Sequence, residues 1–102
     1  MATISRLQSV VNERGESLRA LSVPELLGRA NSPTETLRLG WSTATIGLVI
    51  EQRAPGHVRV IIQGFLRFPS WSPLARVALD GFYKRVDGAL EPVPEDELDE
   101  FS

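Results

Sequence analysis

Cysteine is absent from the 102 residues of this chain. That excludes disulfides, thiolate metal sites and cysteine nucleophiles, and it suits a reducing compartment. Histidine occurs once, as His57. A single histidine beside a predicted turn is expected to be a solvated surface residue, not a catalytic base. Ser70 and Ser72 flank Trp71 but lie in no G-x-S-x-G context, so they are expected to serve turns and caps. Neither G-x-x-x-x-G-K nor G-x-G-x-x-G occurs, which removes the common phosphate-cradling loops. The acidic residues near position 95 lack the spaced Asp/Asn and glycine of a calcium loop. No apolar run approaches the roughly 20 residues that span a bilayer. Residues 1–14 lack the basic start and apolar core of a secretory signal. These absences set the first expectations: no enzymatic activity, no cofactor, no metal site, no membrane partner, and a cytoplasmic location.

What is present is ordinary for a folded domain, with 42% hydrophobic and 24% charged residues. The length fits one domain with a small but real core. Charge is distributed unevenly. Glu91, Glu95, Asp96, Glu97, Asp99 and Glu100 crowd the last stretch, and no basic residue follows Arg85. Residues 1–90 carry 11 basic and 7 acidic groups, a net +4. Lys84 is the one lysine; arginine supplies the rest. Codon usage in a G+C-rich genome accounts for that better than a functional choice, although guanidinium suits planar anions and aromatic faces. The expected organisation is one domain over 1–93 and an acidic tail over 94–102.

The strongest pattern runs from Ser42 to Phe68. Ala44, Ile46, Leu48 and Ile50 alternate with Thr43, Thr45, Gly47, Val49, Glu51 and Arg53. Past Ala54-Pro55-Gly56, Val58, Val60, Ile62, Leu66 and Phe68 alternate with His57, Arg59, Ile61, Gln63, Phe65 and Arg67. Successive strand side chains point to opposite sides, so two strands share an apolar inner face and a mixed outer face. Both inner rows must face the same way, which predicts Val49 opposite Ile61, Glu51 opposite Arg59 and Ile50 opposite Val60. The Glu51–Arg59 pair supports this register, since opposite charges attract across a ladder. A three-residue loop would pair Arg53 with His57, although Ala54 precedes proline and so resists the helical angles of such a loop.

Around this hairpin, Leu37, Leu39 and Trp41 predict a third strand over Glu35–Trp41. Ile4, Leu7 and Val11 at helical spacing predict a helix from Thr3 to Arg14 that stops at Gly15. Ser17–Leu21 reads as a short strand or a link. Ser22-Val23-Pro24-Glu25 reads as a helix entry, with the helix running from Pro24 to about Ala30. Ser72-Pro73 opens a predicted helix to Leu79 that ends at Gly81. A hairpin about Asp87-Gly88 would follow, with arms 82–86 and 89–93. One continuous helix to Asp87 is the alternative. Asp80 and Asp87, each before glycine, read as turn residues. Gly64, inside a strand on the inner face, would make room for Trp41 or Trp71. The expected fold is α+β: an antiparallel sheet of three to five strands centred on 35–68, with short helices on one face.

The outer face carries the functional expectation. Val49, Ile61 and Phe65 form a small apolar island rimmed by arginine, threonine and glutamine, the anatomy of a protein contact surface. The candidate partner-binding residues are Val49, Arg59, Ile61, Phe65 and Arg67. Phe65 would supply apolar contact and the arginines charged hydrogen bonds. The expected function is a small interaction module that self-associates as a homodimer or binds another protein. The alternative is single-stranded nucleic acid on the same face, with Arg38, Arg53, Arg59 and Arg67 around Phe65. The acidic tail, or the N-terminal helix, would otherwise fold over the island or shield the arginines.

Overall fold

The computed structural model describes residues 3–30, 32–40, 42–67 and 75–98. Trp41, the break at 68–74 with Ser70, Trp71 and Ser72, and the tail beyond Leu98 lie outside the described residues. The described residues form three helices and five strands in the order α1 (Thr3–Arg19), α2 (Val23–Leu27), β1 (Glu35–Leu39), β2 (Ser42–Ala54), β3 (His57–Arg67), β4 (Ala75–Arg85), β5 (Leu90–Pro92) and α3 (Glu95–Leu98). The strands form one antiparallel sheet in the order β1-β2-β3-β4-β5. The fold is α+β, as expected from the sequence.

The central register is the predicted one: Val49 faces Ile61, Glu51 faces Arg59, Thr45 faces Phe65 and Leu48 faces Ile62. It departs only at the tip. Ala54, not Arg53, faces His57, and the register shifts between Gln52 and Ala54. The residue before a proline prefers an extended backbone, so Ala54 stays in β2 and the turn narrows to Pro55 and Gly56. Gly56 takes φ +71, which proline followed by glycine provides at the centre of a type II turn. The extra residue is absorbed as a bulge.

α1 and α2 lie on the inner face. Leu7, Val11 and Leu18 of α1 and Leu26 of α2 are buried against Ala44, Ile46, Val58, Val60, Ile62 and Phe82. α1 continues through Gly15 to Arg19 instead of stopping there. A side chain at position 15 would meet Asp80 Oδ2 at 2.0 Å, so this glycine serves a close approach of helix to sheet rather than a cap. α2 begins as predicted, on a reciprocal capping box between Ser22 and Glu25, and Gly28 caps its end.

Residues 75–79 are strand instead of the predicted helix, and β4 runs on unbroken to Arg85, while the predicted hairpin about Asp87-Gly88 is present as the pairing of β4 with β5. Both faces of β4 are covered, so its apolar residues do not alternate with polar ones as in a half-exposed strand. Ala78 and Phe82 point to the helices, and Leu79 and Tyr83 to the other side. Asp80 is a mid-strand partner rather than a turn residue. It receives Arg19 Nη1 and Nη2 at 2.9 and 3.1 Å. The Arg19 guanidinium also stands 4.8 Å from the centre of the Phe82 ring. Lys84 Nζ donates to the Arg19 carbonyl at the end of α1, where a cation suits the helix dipole. Asp87 is a turn residue as read: its Oδ1 accepts the Ala89 N–H at 2.9 Å. Beyond the short β5, Gln8 of α1 closes the open edge of β4, accepting the Leu79 N–H and donating to the Leu79 carbonyl. Gly64 makes room for Leu7 and Val11 of α1, and the expected tryptophans, Trp41 and Trp71, lie outside the described residues.

Candidate functional site

The outer face is divided into two halves by the segment that follows β5. Val93 and Leu98 of that segment pack on Ile61, Tyr83, Val49 and Leu79, forming a second apolar cluster separate from the main core. Gly81 of β4 provides the seat. A side chain there would meet Ile61 Cδ1 at 2.8 Å and Val93 Cγ2 at 3.4 Å. α3 is therefore on the opposite face from α1 and α2, and Glu97 projects from it onto the sheet.

Glu97 completes a charged cluster over β2, β3 and β4. Arg59 Nη2 donates to Glu51 Oε1 at 2.8 Å, and Nη1 donates to Glu97 Oε1 at 3.1 Å. Tyr83 Oη donates to the same Glu97 oxygen. Arg53 adds a longer contact to Glu51 at 3.6 Å. Burial works against the Arg59 charge. Its bonds to Glu51 and Glu97 outweigh that cost and hold its pKa above the ordinary value. Tyr83 ionises above its usual range, first because it is buried and then because its hydroxyl donates a hydrogen bond to the Glu97 carboxylate, whose charge opposes a second anion. Glu97 is held below the usual carboxylate range, mainly by the Tyr83 hydroxyl and then by Arg59.

The five sequence-predicted contact residues thus separate. Ile61 is 0% exposed and Arg59 3%, both beneath residues 93–98, so neither lies at a free surface. Val49 is half-buried at the margin of that cover. Phe65 is half-buried and belongs to neither apolar cluster, and Arg67 is exposed. Gly47, opposite Gln63, lies under Phe65: a side chain there would meet Phe65 Cε2 at 3.7 Å. Thr43, Thr45, Thr36 and Arg38 complete the open half through the pairings of β1 with β2.

Tyr83, Glu97, Val93 and Leu98 are the site residues that sequence reasoning missed. Their signal was present in the charge imbalance, since an arginine face and an acidic tail invite each other. The tail is one of the two alternative covers the sequence suggests for the island, beside the N-terminal helix; the tyrosine is hidden in a segment expected to change structure near it.

His57 is half-buried where a solvated surface residue was expected. Its ring lies 4.7 Å from Tyr83 at 31°, and Nε2 is buried with no hydrogen-bond partner among the described residues. A shallow hollow of about 290 Å³ adjoins it at the turn tips, lined by Pro55, Arg85 and Asp87. On the other side, a cleft of about 220 Å³ opens between Arg14, Leu18, Arg29, Ile46 and Leu48. Arg14 is committed there to Glu35 by two bonds of 2.9 and 2.8 Å. No group of three His, Asp or Glu positioned to hold a metal ion occurs among the described residues. No helix among them is long and apolar enough to cross a membrane. Compared with family models, curated proteins and solved structures, the chain matches none.

Proposed function

We propose that this protein is a non-enzymatic interaction module of the cytoplasm that binds a second copy of itself, or another protein, through the open half of its outer sheet face. One observation carries the proposal. Phe65 lies over Gly47, half-exposed and outside both apolar clusters, beside half-buried Val49 and exposed Arg67. An aromatic centre rimmed by arginine and threonine has the composition of a contact surface. The cytoplasmic part rests on the cysteine-free composition alone.

Light scattering over a range of concentrations tests the homotypic form. The mass should rise toward a dimer, and Phe65→Ala should abolish the rise while leaving the unfolding midpoint nearly unchanged. A strict monomer at all concentrations removes self-association. A large stability loss in Phe65→Ala would place the ring in a core and remove the surface altogether.

Single-stranded nucleic acid is the second reading, favoured by exposed Arg67 and Arg38 beside Phe65. It is weakened because Arg59 faces two carboxylates. Oligonucleotide affinity that falls steeply with salt would support it.

A further inference from the structure

We propose that the free edge of β1 pairs with the same edge of a second copy of this chain, joining two sheets into one. This rests on self-association, the first form of the reading above, and moves the second copy from the open half to the edge. The open half is then left to another protein.

The two edges of the sheet are treated differently. Beyond β5, the backbone of β4 is closed by Gln8, whose side chain bonds both the N–H and the carbonyl of Leu79. β1 pairs with β2 alone, and among the described residues nothing bonds to its other side. Thr34, Glu35, Thr36, Arg38 and Gly40 are exposed along it. An open row of backbone groups is a template for another strand. Charge is the usual deterrent, and here it is only partial. Glu35 is committed to Arg14 by two bonds. Arg38 is the one uncommitted charge of β1 among the described residues.

The strand is complementary to itself. Leu39 and Ser42 face each other across a two-residue loop, and such a loop closes on a hydrogen-bonded pair. Glu35, Leu37 and Leu39 therefore bond to β2, while Thr36 and Arg38 turn their N–H and C=O groups outward. Leu37 and Leu39 lie on the helix-covered face, and Thr36 and Arg38 on the other. A continuous sheet keeps these faces matched, so each residue must oppose one from its own face. The antiparallel register centred on Leu37 uses all of β1. It sets Thr36 opposite the partner's Arg38 in two symmetric hydrogen-bonded pairs. Leu37, half-buried at the rim of the core, meets the partner's Leu37 at the close, unbonded position. Sliding two residues one way opposes Arg38 to the partner's Arg38, which repels. Sliding the other way sets apolar Leu37 against the partner's Glu35. Any extended strand can offer its backbone to this edge. A second copy also covers Leu37, meets no like charge opposite, and closes as a two-fold dimer. The contact is small beside a standard interface, so the dimer should form only at high protein concentration.

The chain has no cysteine, so single cysteines report the contact without background. Under mild oxidation, Leu37→Cys should cross-link about tenfold faster than Thr43→Cys, an exposed control one strand further in. Equal rates overturn the edge contact. Thr36 is exposed, so its variants probe the edge without disturbing the core, even where Leu37→Cys fails to fold. Thr36→Glu, opposite the partner's Arg38, should tighten the dimer about fivefold in light scattering, since symmetry forms the charge pair twice. Thr36→Arg should weaken it about as much. A dimer indifferent to both, or a strict monomer at millimolar protein, overturns the proposal. Phe65→Ala separates the edge from the face. Association that survives it and still responds to Thr36→Glu leaves the edge standing where the face fails. Association lost with the ring assigns the dimer to the face and overturns the edge.

Discussion

Two glycines inside β2 and β3 look alike in the sequence and differ in what surrounds them. At Gly64 an added Cβ would lie 2.9 Å from Ala78 Cβ and 2.9 Å from Val11 Cγ2. Ala78 Cβ is fixed to the neighbouring strand and cannot swing away. Gly64→Ala should therefore cost about 1–3 kcal/mol, the usual range for overpacking a filled core. At Gly47 the nearest atoms are 3.7 and 3.8 Å away, ordinary contact distances. Gly47→Ala should be close to neutral, since removing a glycine also restricts the unfolded chain. Urea melts of the two variants check the contrast, and equal losses would contradict it. A glycine inside a strand signals a bulge or a close approach, and the sequence carries that signal at both positions. It could not say what approaches, because Leu7 and Val11 are brought there by a helix distant in sequence.

At the scale of elements, the β2–β3 hairpin shows what local rules determine. A period-2 pattern on both strands and one charge pair sufficed to fix its register. The turn obeys a rule just as local. Gly56 at φ +71 tolerates no side chain without strain, and Val86 Cβ would stand 3.3 Å from one. Gly56→Ala should cost about 1–2 kcal/mol, the penalty for a non-glycine residue in left-handed conformation. It should leave the Val49–Ile61 pairing intact, because the bulge and the apolar rows set the register above the turn. Thermal unfolding gives the first quantity, and cross-strand nuclear Overhauser contacts between Val49 and Ile61 give the second. β4 shows where local rules stop. Leu79, Phe82 and Val86 fall at helical spacing, yet the unpaired edge of β3 and Gly81 favour a strand. Asp80 and Lys84 hid the strand further. They face inward only because the end of α1 supplies Arg19 and a carbonyl for them. Gly15 escaped for the same reason, since its need for space arises from Asp80 of a distant strand. Pairing across long sequence separations decides such elements, and no window of the chain contains it.

Among the described residues the molecule is a sheet with two unequal covers: helices α1 and α2 on one face, and residues 93–98 over part of the other. The lighter cover is tied by ionisable groups, so it should respond to pH apart from the core. Glu97 titrates below 4.5 because docking supplies the Tyr83 hydroxyl and Arg59. Its contribution is fully present above 4.5 and is lost as pH falls through its lowered value. Tyr83 titrates above 10.0 because docking buries it against Glu97. That contribution is present below 10.0 and is lost as pH rises through the raised value. The segment should stay docked between these limits and detach beyond either one. Glu35, held low by Arg14 on the opposite face, weakens over the same acid range, so acid alone does not isolate the segment. Glu97→Gln does. It removes the acid limb and brings Tyr83 ionisation part of the way back toward 10.0, since the Glu97 charge no longer opposes it while burial still does. Tyr83 is the single tyrosine of the chain, so an ultraviolet titration reports it alone. Amide spectra of residues 93–98 should move toward unfolded positions at low pH while β2 and β3 remain unchanged. If those amides instead track the sheet at every pH, the segment is an integral part of the fold, and the division of the outer face into masked and open halves has no thermodynamic basis.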